Sequence, residues 1–186
     1  IIITGNRIHH NQAQYGAIYL RGTNITVQSN NIYNNKATSS GGAIYNIGTN
    51  NTITENTIKN NDAKSYGGAI NNWETQNTII TDNKFNGNQA NYGGAIYYRG
   101  TGLKLDKNNM TSNTARVSGG VLFVIGQNNN VTSNNFTSNT AKNGAAINNL
   151  GTNIIIKSNT MQYNTATSLG GAISNWNAKN IAITGN

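Results

Sequence analysis

The chain has 186 residues and a formal net charge of +8, with 21 Gly, no Pro, no Cys, about a fifth Asn and only 10% charged residues. This composition is typical of solenoids with tight corners rather than of α/β enzymes, and the lack of Cys excludes disulfides and thiolate metal sites. The basic residues are scattered rather than clustered in a stripe, so we expect no nucleic-acid partner.

One motif, Gly-Gly-Ala-Ile with its variants, recurs along the whole chain. Its last residue falls at Ile18, Ile44, Ile70, Ile96, Leu122, Ile147 and Ile173, in steps of 25 or 26 residues. Apolar residues do not follow helical spacing, and β-branched residues come in short alternating bursts. A period of this length predicts one coil of a β-solenoid per repeat, or about seven coils over residues 1–186.

Each coil is predicted to contain three short strands. In one repeat these are residues 41–46, 51–54 and 58–61. Equivalent strands of successive coils should pair in parallel sheets about 4.8 Å apart. The predicted fold is therefore all-β, a right-handed single-stranded parallel β-helix. Because the first and last residues share one phase of the repeat, we expect residues 1–186 to be a fragment of a longer array.

Two apolar columns, the Ile column of the Gly-Gly-Ala-Ile motif, an alanine column from Ala13 to Ala166 and two asparagine columns are predicted to face the interior. The apolar columns are Ile3, Val27, Ile53, Ile80, Leu105, Val131, Ile156 and Ile183, and Ile8, Ile32, Ile58, Phe85, Met110, Phe136 and Met161. The asparagine columns run from Asn6 to Asn186 and from Asn11 to Asn164. Because a buried amide costs free energy unless it is hydrogen-bonded, we predict two ladders in which each amide bonds its neighbours in adjacent coils.

Two paired tetrapeptide motifs carry a resemblance to a known family. Gly-Gly-Ala-Ile occurs at residues 41–44, 67–70, 93–96 and 170–173, and Phe-x-x-Asn at residues 85–88 and 136–139. The pair resembles the repeats of the chlamydial polymorphic outer membrane proteins. The Asn- and Thr-rich, Cys-free composition is similar to that of adhesin-like surface proteins of methanogenic archaea. The chain departs from the pattern where Ile or Met replaces Phe, as at Ile58 and Met110.

The resemblance implies a secreted or surface-anchored β-helix that attaches to cells, cell wall or other surfaces. It therefore implies an extracellular or cell-surface location and a non-enzymatic role. The partner would be a glycan or a cell-surface protein, with self-association along the rod, and no cofactor is expected.

The first strand of each coil is predicted to carry the binding surface. If the Ile of the motif points inward, the next residue and the one two further on point outward. These positions hold Tyr45, Trp73, Tyr97, Arg99 and Phe123. Contiguous apolar surface often marks an interaction site, and aromatic rings flanked by Arg suit sugars and protein side chains equally. The alternative is that some of these side chains fold back at a corner, or that a segment outside the chain covers them.

An enzyme is the alternative prediction, because many carbohydrate-active enzymes are right-handed β-helices. Two of the five carboxylates, Glu55 and Asp82, occupy equivalent positions one coil apart and would approach within about 5 Å if stacked. The non-catalytic interpretation is a solvated column, in which Lys107 of the next coil offsets both acids. The alternative function is therefore a polysaccharide-processing lyase or hydrolase.

Metal sites and membrane spans are not predicted. A calcium-binding solenoid needs Asp in Gly-rich loops at each turn, and the adjacent His9 and His10 should point to opposite faces of a strand. No apolar run approaches the roughly 18 residues that cross a bilayer. Glycosylation of an exported protein would use the sequon residues Asn24, Asn50, Asn109, Asn130 and Asn135.

Overall fold

The computed structural model describes residues 1–186 as short strands joined by turns, without a helix. The chain winds into about seven coils, and every strand pairs in parallel with its equivalents in adjacent coils. This arrangement confirms the predicted parallel β-helix. No helix is present that is long and apolar enough to span a membrane.

Three parallel sheets run along the molecule, and sheet A is bent into two arms. The first arm of sheet A contains Ile18–Leu20, Ile44–Asn46, Ile70–Gln76, Ile96–Thr101, Leu122–Thr132, Ile147–Asn149 and Ile173–Asn175. The second arm contains Ile2–Thr4, Thr26–Gln28, Thr52–Thr54, Ile79–Thr81, Lys104–Asp106, the shared strand Leu122–Thr132, Thr152–Lys157 and Lys179–Thr184.

Sheets B and C complete each coil, with seven strands in each sheet. Sheet B contains Arg7–His9, Asn31–Tyr33, Thr57–Lys59, Lys84–Asn86, Asn109–Thr111, Asn135–Thr137 and Thr160–Gln162. Sheet C contains Gln12–Tyr15, Lys36–Ser40, Asp62–Ala63, Gln89–Tyr92, Thr114–Ser118, Thr140–Asn143 and Thr165–Leu169.

Most coils contain four short strands rather than the predicted three. The three predicted strands correspond to Ile44–Asn46, Thr52–Thr54 and Thr57–Lys59. The fourth strand belongs to sheet C and carries an alanine column, in which Ala37 pairs with Ala63. Sequence patterning missed it because alanine and its polar neighbours have low strand propensity. The small side chain is nevertheless buried in every central coil.

The apolar columns fill one continuous core, as predicted. Ile53, Ile58 and Ile70 of one coil are fully buried, and each pairs in register with the equivalent residue of the next coil. Burying such a side chain contributes about 1.5–3 kcal/mol. Each coil is therefore stabilised mainly by the coils on either side of it.

Both predicted asparagine ladders are present, and Asn83 illustrates their bonding. Its Nδ2 donates to Oδ1 of Asn108 in the next coil at 3.0 Å, to the carbonyl oxygen of Thr81 at 2.8 Å and to that of Ile53 in the previous coil at 2.8 Å. Its Oδ1 accepts from the backbone nitrogen and Nδ2 of Asn56. The ladders thus satisfy the buried amides and link consecutive coils.

A third internal polar column was not predicted from the sequence. Nδ2 of Asn46 donates to Oδ1 of Asn72 at 2.9 Å, while Oδ1 of Asn46 accepts from the backbone nitrogen of Gly48 at 3.0 Å. In the coil that follows Asn72, the equivalent residue is Tyr98, whose hydroxyl donates to the carbonyl oxygen of Thr101 at 3.0 Å. Asn46, Asn72 and Tyr98 lie behind the first arm of sheet A and are fully buried.

The ladder can be tested with Asn83→Asp, which keeps the shape of the side chain but removes its donors and buries a carboxylate. We expect the free energy of unfolding at pH 7 to fall by at least about 3 kcal/mol. Urea unfolding followed by circular dichroism measures the loss. The matched control is Asn86→Asp on the exposed face of sheet B, which should change stability by less than about 0.5 kcal/mol. Equal losses in the two variants would contradict the ladder.

Candidate binding groove

The outer face of the first arm of sheet A carries a column of rings. Its outward column contains Tyr19, Tyr45, Asn71, Tyr97, Phe123, Asn148 and Ser174, paired in register. Tyr97 and Phe123 stack with ring centroids 5.5 Å apart and planes 6° apart, and Tyr19 and Tyr45 stack at 5.5 Å and 7°. The coil spacing of about 4.8 Å places consecutive rings within stacking distance.

A second column lies beside the first, at the ends of the sheet C strands. It contains Tyr15, Ser40, Tyr66, Tyr92, Ser118, Asn143 and Leu169. A tight turn at or near a Gly-Gly pair separates the two columns. Gly67 has a φ of +61°, and a Cβ there would collide with the carbonyl oxygen of Ile70, so glycine is required. The turn brings the ring of Tyr66 to 4.6 Å from that of Tyr97.

Tyr97 and Phe123 are buried, which corrects the expectation that both are open to solvent. Their exposed fractions are 4% and 7%. The ring of Tyr66 lies against Tyr97, and the ring of Tyr92 lies 5.3 Å from Phe123. The covering side chains come from a different sheet of the same chain, which strand alternation does not reveal. The sequence signal that could have found them is the tyrosine that directly precedes glycine in several coils.

Trp73, Tyr45 and Arg99 remain accessible at the rim. The Arg99 guanidinium lies 4.6 Å from the centroid of the Trp73 ring and 3.5 Å from the Glu74 carboxylate. Glu74 is an extra residue with a φ of 55°, where the register shifts between Trp73 and Thr75. The ion pair leaves no net charge beside Trp73.

The aromatic groove is defined by Tyr15, Tyr19, Tyr45, Tyr66, Trp73, Tyr92, Tyr97 and Phe123.

A first cavity, of about 310 Å³, opens where Asn71 interrupts the outward column. It is lined by Tyr15, Ser39, Ser40, Tyr45, Tyr66, Asn71 and Trp73. No charged side chain is among them. Oδ1 of Asn71 is buried and has no hydrogen-bond partner. Ser39, Ser40 and Asn71 supply polar side chains to this cavity, and they can exchange hydrogen bonds with a polar ligand.

A second cavity, of about 330 Å³, lies three coils further on, where Asn148 occupies the same column. Tyr92, Phe123 and Trp176 supply its aromatic lining, and again no charged side chain is present. Asn143 also lines it, and its Oδ1 is buried without a hydrogen-bond partner. Both cavities therefore combine aromatic rings, serine side chains and an asparagine of the outward column.

One protein-family model, described as a right-handed beta helix region, matches residues 1–110, which is more than half of the chain. The chain belongs to this family. Searches of curated proteins and of solved structures find no match. Right-handed β-helix proteins include both enzymes and non-enzymes, so catalysis has to be judged from the carboxylates of this chain.

In this right-handed β-helix, Glu55 and Asp82 are each engaged by neighbouring polar groups. The Glu55 carboxylate accepts from Nε2 of Gln28 and Oγ of Ser29, both at 3.0 Å, and these bonds lower its pKa. Asp82 accepts from Oγ1 of Thr81 at 2.9 Å. A general acid needs a raised pKa, whereas that of Glu55 is lowered, and neither carboxylate lines a cavity. The geometry therefore gives no support to these two residues as a catalytic pair.

His9 and His10 lie side by side, which corrects the prediction that they point to opposite faces. Their Nδ1 atoms are 2.9 Å apart, and Tyr33 stacks on His9 at 4.8 Å. His10 has a φ of 56°, so the alternation of the strand ends there. No group of three or more His, Cys, Asp or Glu side chains is close enough to hold a metal ion.

Burial of the tyrosines predicts that stability falls at alkaline pH. Burial raises the pKa of Tyr97 and of Tyr98 to about 12, from an ordinary value of 10.0. Between these values the unfolded chain has lost protons that the folded protein keeps, so the free energy of unfolding falls as pH rises. Tyr97→Phe keeps the stacked ring but cannot ionise, so it should lose less stability than the wild type in this window.

Urea unfolding at about pH 9.5 and about pH 11.5 measures the difference. The matched control is Tyr163→Phe, because Tyr163 is 79% exposed. This control should lose as much stability as the wild type. If Tyr97→Phe also loses as much, the pKa of Tyr97 is not raised by burial.

Proposed function

We propose that this chain is a surface-displayed, adhesin-like structural and binding module. Its β-helical shaft is rigid and presents the aromatic groove to a glycan or a cell-surface protein. The observation that carries the proposal is the groove itself. Eight aromatic side chains lie outside the apolar core along one face, in two groups whose members contact one another: Tyr15, Tyr19 and Tyr45, and Tyr66, Trp73, Tyr92, Tyr97 and Phe123.

The groove is poorly explained by stability alone. The apolar core and the two ladders already join each coil to the next, and the groove lies on the opposite side of the first arm. Its rings are held by stacking, as between Tyr66 and Tyr92 at 5.6 Å. Rings that are already ordered lose little conformational entropy when a ligand binds, which favours a recognition surface.

The outer faces of the second arm and of sheet B differ from the groove in chemistry. The outward positions of the second arm and of sheet B are mostly short polar side chains such as Thr26, Thr52, Asn109 and Thr137. Such surfaces stay hydrated and favour solubility over binding. Recognition is therefore assigned to the first arm of sheet A.

An extracellular, cell-surface or cell-wall location suits this function. The sequon residues Asn24, Asn50, Asn109 and Asn130 are exposed, as glycosylation would require. Contacts at one groove are small and individually weak. Self-association along the rod would present several grooves at once, which strengthens attachment without new contacts.

Attachment of the purified protein to fixed epithelial cells and to isolated cell-wall sacculi tests the proposal. The double variant Tyr66→Ala, Trp73→Ala removes two half-buried rings of the groove and should weaken attachment about 10-fold or more. The matched control is Tyr33→Ala, which removes a half-buried ring from sheet B and should leave attachment unchanged.

A carboxylate variant separates the enzymatic alternative from the binding module. Glu55→Gln, Asp82→Asn should leave attachment unaltered. Release of reducing or unsaturated sugars from a polysaccharide by the wild type, abolished in this variant, would establish a lyase or hydrolase and contradict the proposal. Equal attachment by the wild type and the groove variant would also contradict it.

A further inference from the structure

We infer that the two cavities are paired subsites for neutral sugar rings of one glycan chain. The inference rests on the proposed function and goes further, because it assigns the ligand class and the places of contact. The subsites lie where Asn71 and Asn148 interrupt the column of rings, and each is lined by serine and asparagine side chains as well as by rings.

The lining of the cavities favours a neutral ligand that has both an apolar face and hydroxyl groups. A charged group would lose its hydration in these cavities and gain no charged partner. A purely apolar group would cover the serine and asparagine side chains of the lining without offering them hydrogen bonds. A pyranose ring offers C–H faces to the aromatic rings and hydroxyl groups to the serine and asparagine side chains. The volumes are at the lower end for small-molecule sites, about 300–1,000 Å³, and suit a sugar unit.

The spacing of the cavities points to one extended ligand rather than two separate monosaccharides. Asn71 and Asn148 are three coils apart in one column, or about 14 Å at about 4.8 Å per coil. Between them the stacked rings of Tyr66 and Tyr92 form a continuous aromatic path. Linking two weak contacts in one chain raises the effective concentration for the second contact.

The strand pairing excludes a peptide that binds by adding a strand to the sheet. Peptides that add to a β-sheet need an exposed strand edge with free backbone groups. The strands beneath the groove, Ile70–Gln76, Ile96–Thr101 and Leu122–Thr132, are each paired on both sides. Recognition in the groove therefore relies on side chains.

The test fills each cavity while keeping the column of rings. Asn71→Tyr would add a ring between Tyr45 and Tyr97, and Asn148→Tyr would add one after Phe123. Binding of cellohexaose, chitohexaose, mannohexaose and hexagalacturonate is measured by isothermal titration calorimetry. We expect the wild type to bind at least one neutral hexasaccharide about 10-fold more tightly than hexagalacturonate. Each single variant should weaken that binding about 10-fold, and the double variant about 100-fold.

The matched control is Asn109→Tyr, an exposed position on sheet B, which should leave binding unchanged. Asn71→Leu removes the amide oxygen with a smaller side chain, and serves if the larger ring alters the circular dichroism spectrum. Binding that survives both filling variants would overturn the assignment of the subsites. If no neutral hexasaccharide binds, or if hexagalacturonate binds more tightly, the assigned ligand class is wrong. The proposed function would still be upheld if the Tyr66→Ala, Trp73→Ala variant loses attachment to cells or sacculi.

Discussion

The structure depends on hydrogen bonding of buried asparagine amides between consecutive coils. Each ladder amide contacts three coils at once, as Asn83 does through Ile53, Thr81 and Asn108. Apolar packing between coils is non-directional and would tolerate a shift in register. The ladder does not tolerate such a shift, because moving one coil by one residue would leave buried amide donors and acceptors unpaired in both adjacent coils. The ladders therefore fix the register in which the apolar columns pack.

A backbone fixed in this way can vary elsewhere without losing the fold. Extra residues such as Glu74 and Asn177 adopt positive φ, at 55° and 54°, and lie away from the ladders. The outward column of the first arm can hold tyrosine, phenylalanine or asparagine at a constant spacing. Stacked rings and cavities therefore arise from the choice of side chain alone, and a structural repeat can carry a binding site without any change of backbone.

The sequence predicted the parts of the structure that repeat with the coil. The ladders and apolar columns follow directly from a 26-residue period, because every coil contributes the same residue type. The packing between columns from different sheets could not be read in this way. Tyr97 and Phe123 alternate outward from their own strand, and only the turn at Gly67 and its equivalents brings Tyr66 and Tyr92 over them.

Other differences have the same local origin. The fourth strand of the coil was missed because its alanine column lacks the β-branched residues that mark a strand. The cavities were not predicted because they depend on where the outward column changes from a ring to an asparagine, relative to rings in the neighbouring column. The repeat period and the alternation of side chains along a strand locate each residue on a face of the coil. Whether that residue is covered, and whether a cavity forms beside it, depends on the size of side chains from two sheets.

Hydrogen exchange of the side-chain amides, followed by nuclear magnetic resonance, tests the central role of the ladders most directly. The amides of Asn56, Asn83 and Asn108 are buried and bonded on both sides. The account predicts that they exchange only with global unfolding, whereas the exposed amide of Asn86 exchanges at the rate of a free side chain. Fast exchange of the Asn56, Asn83 and Asn108 amides in the folded protein would contradict it.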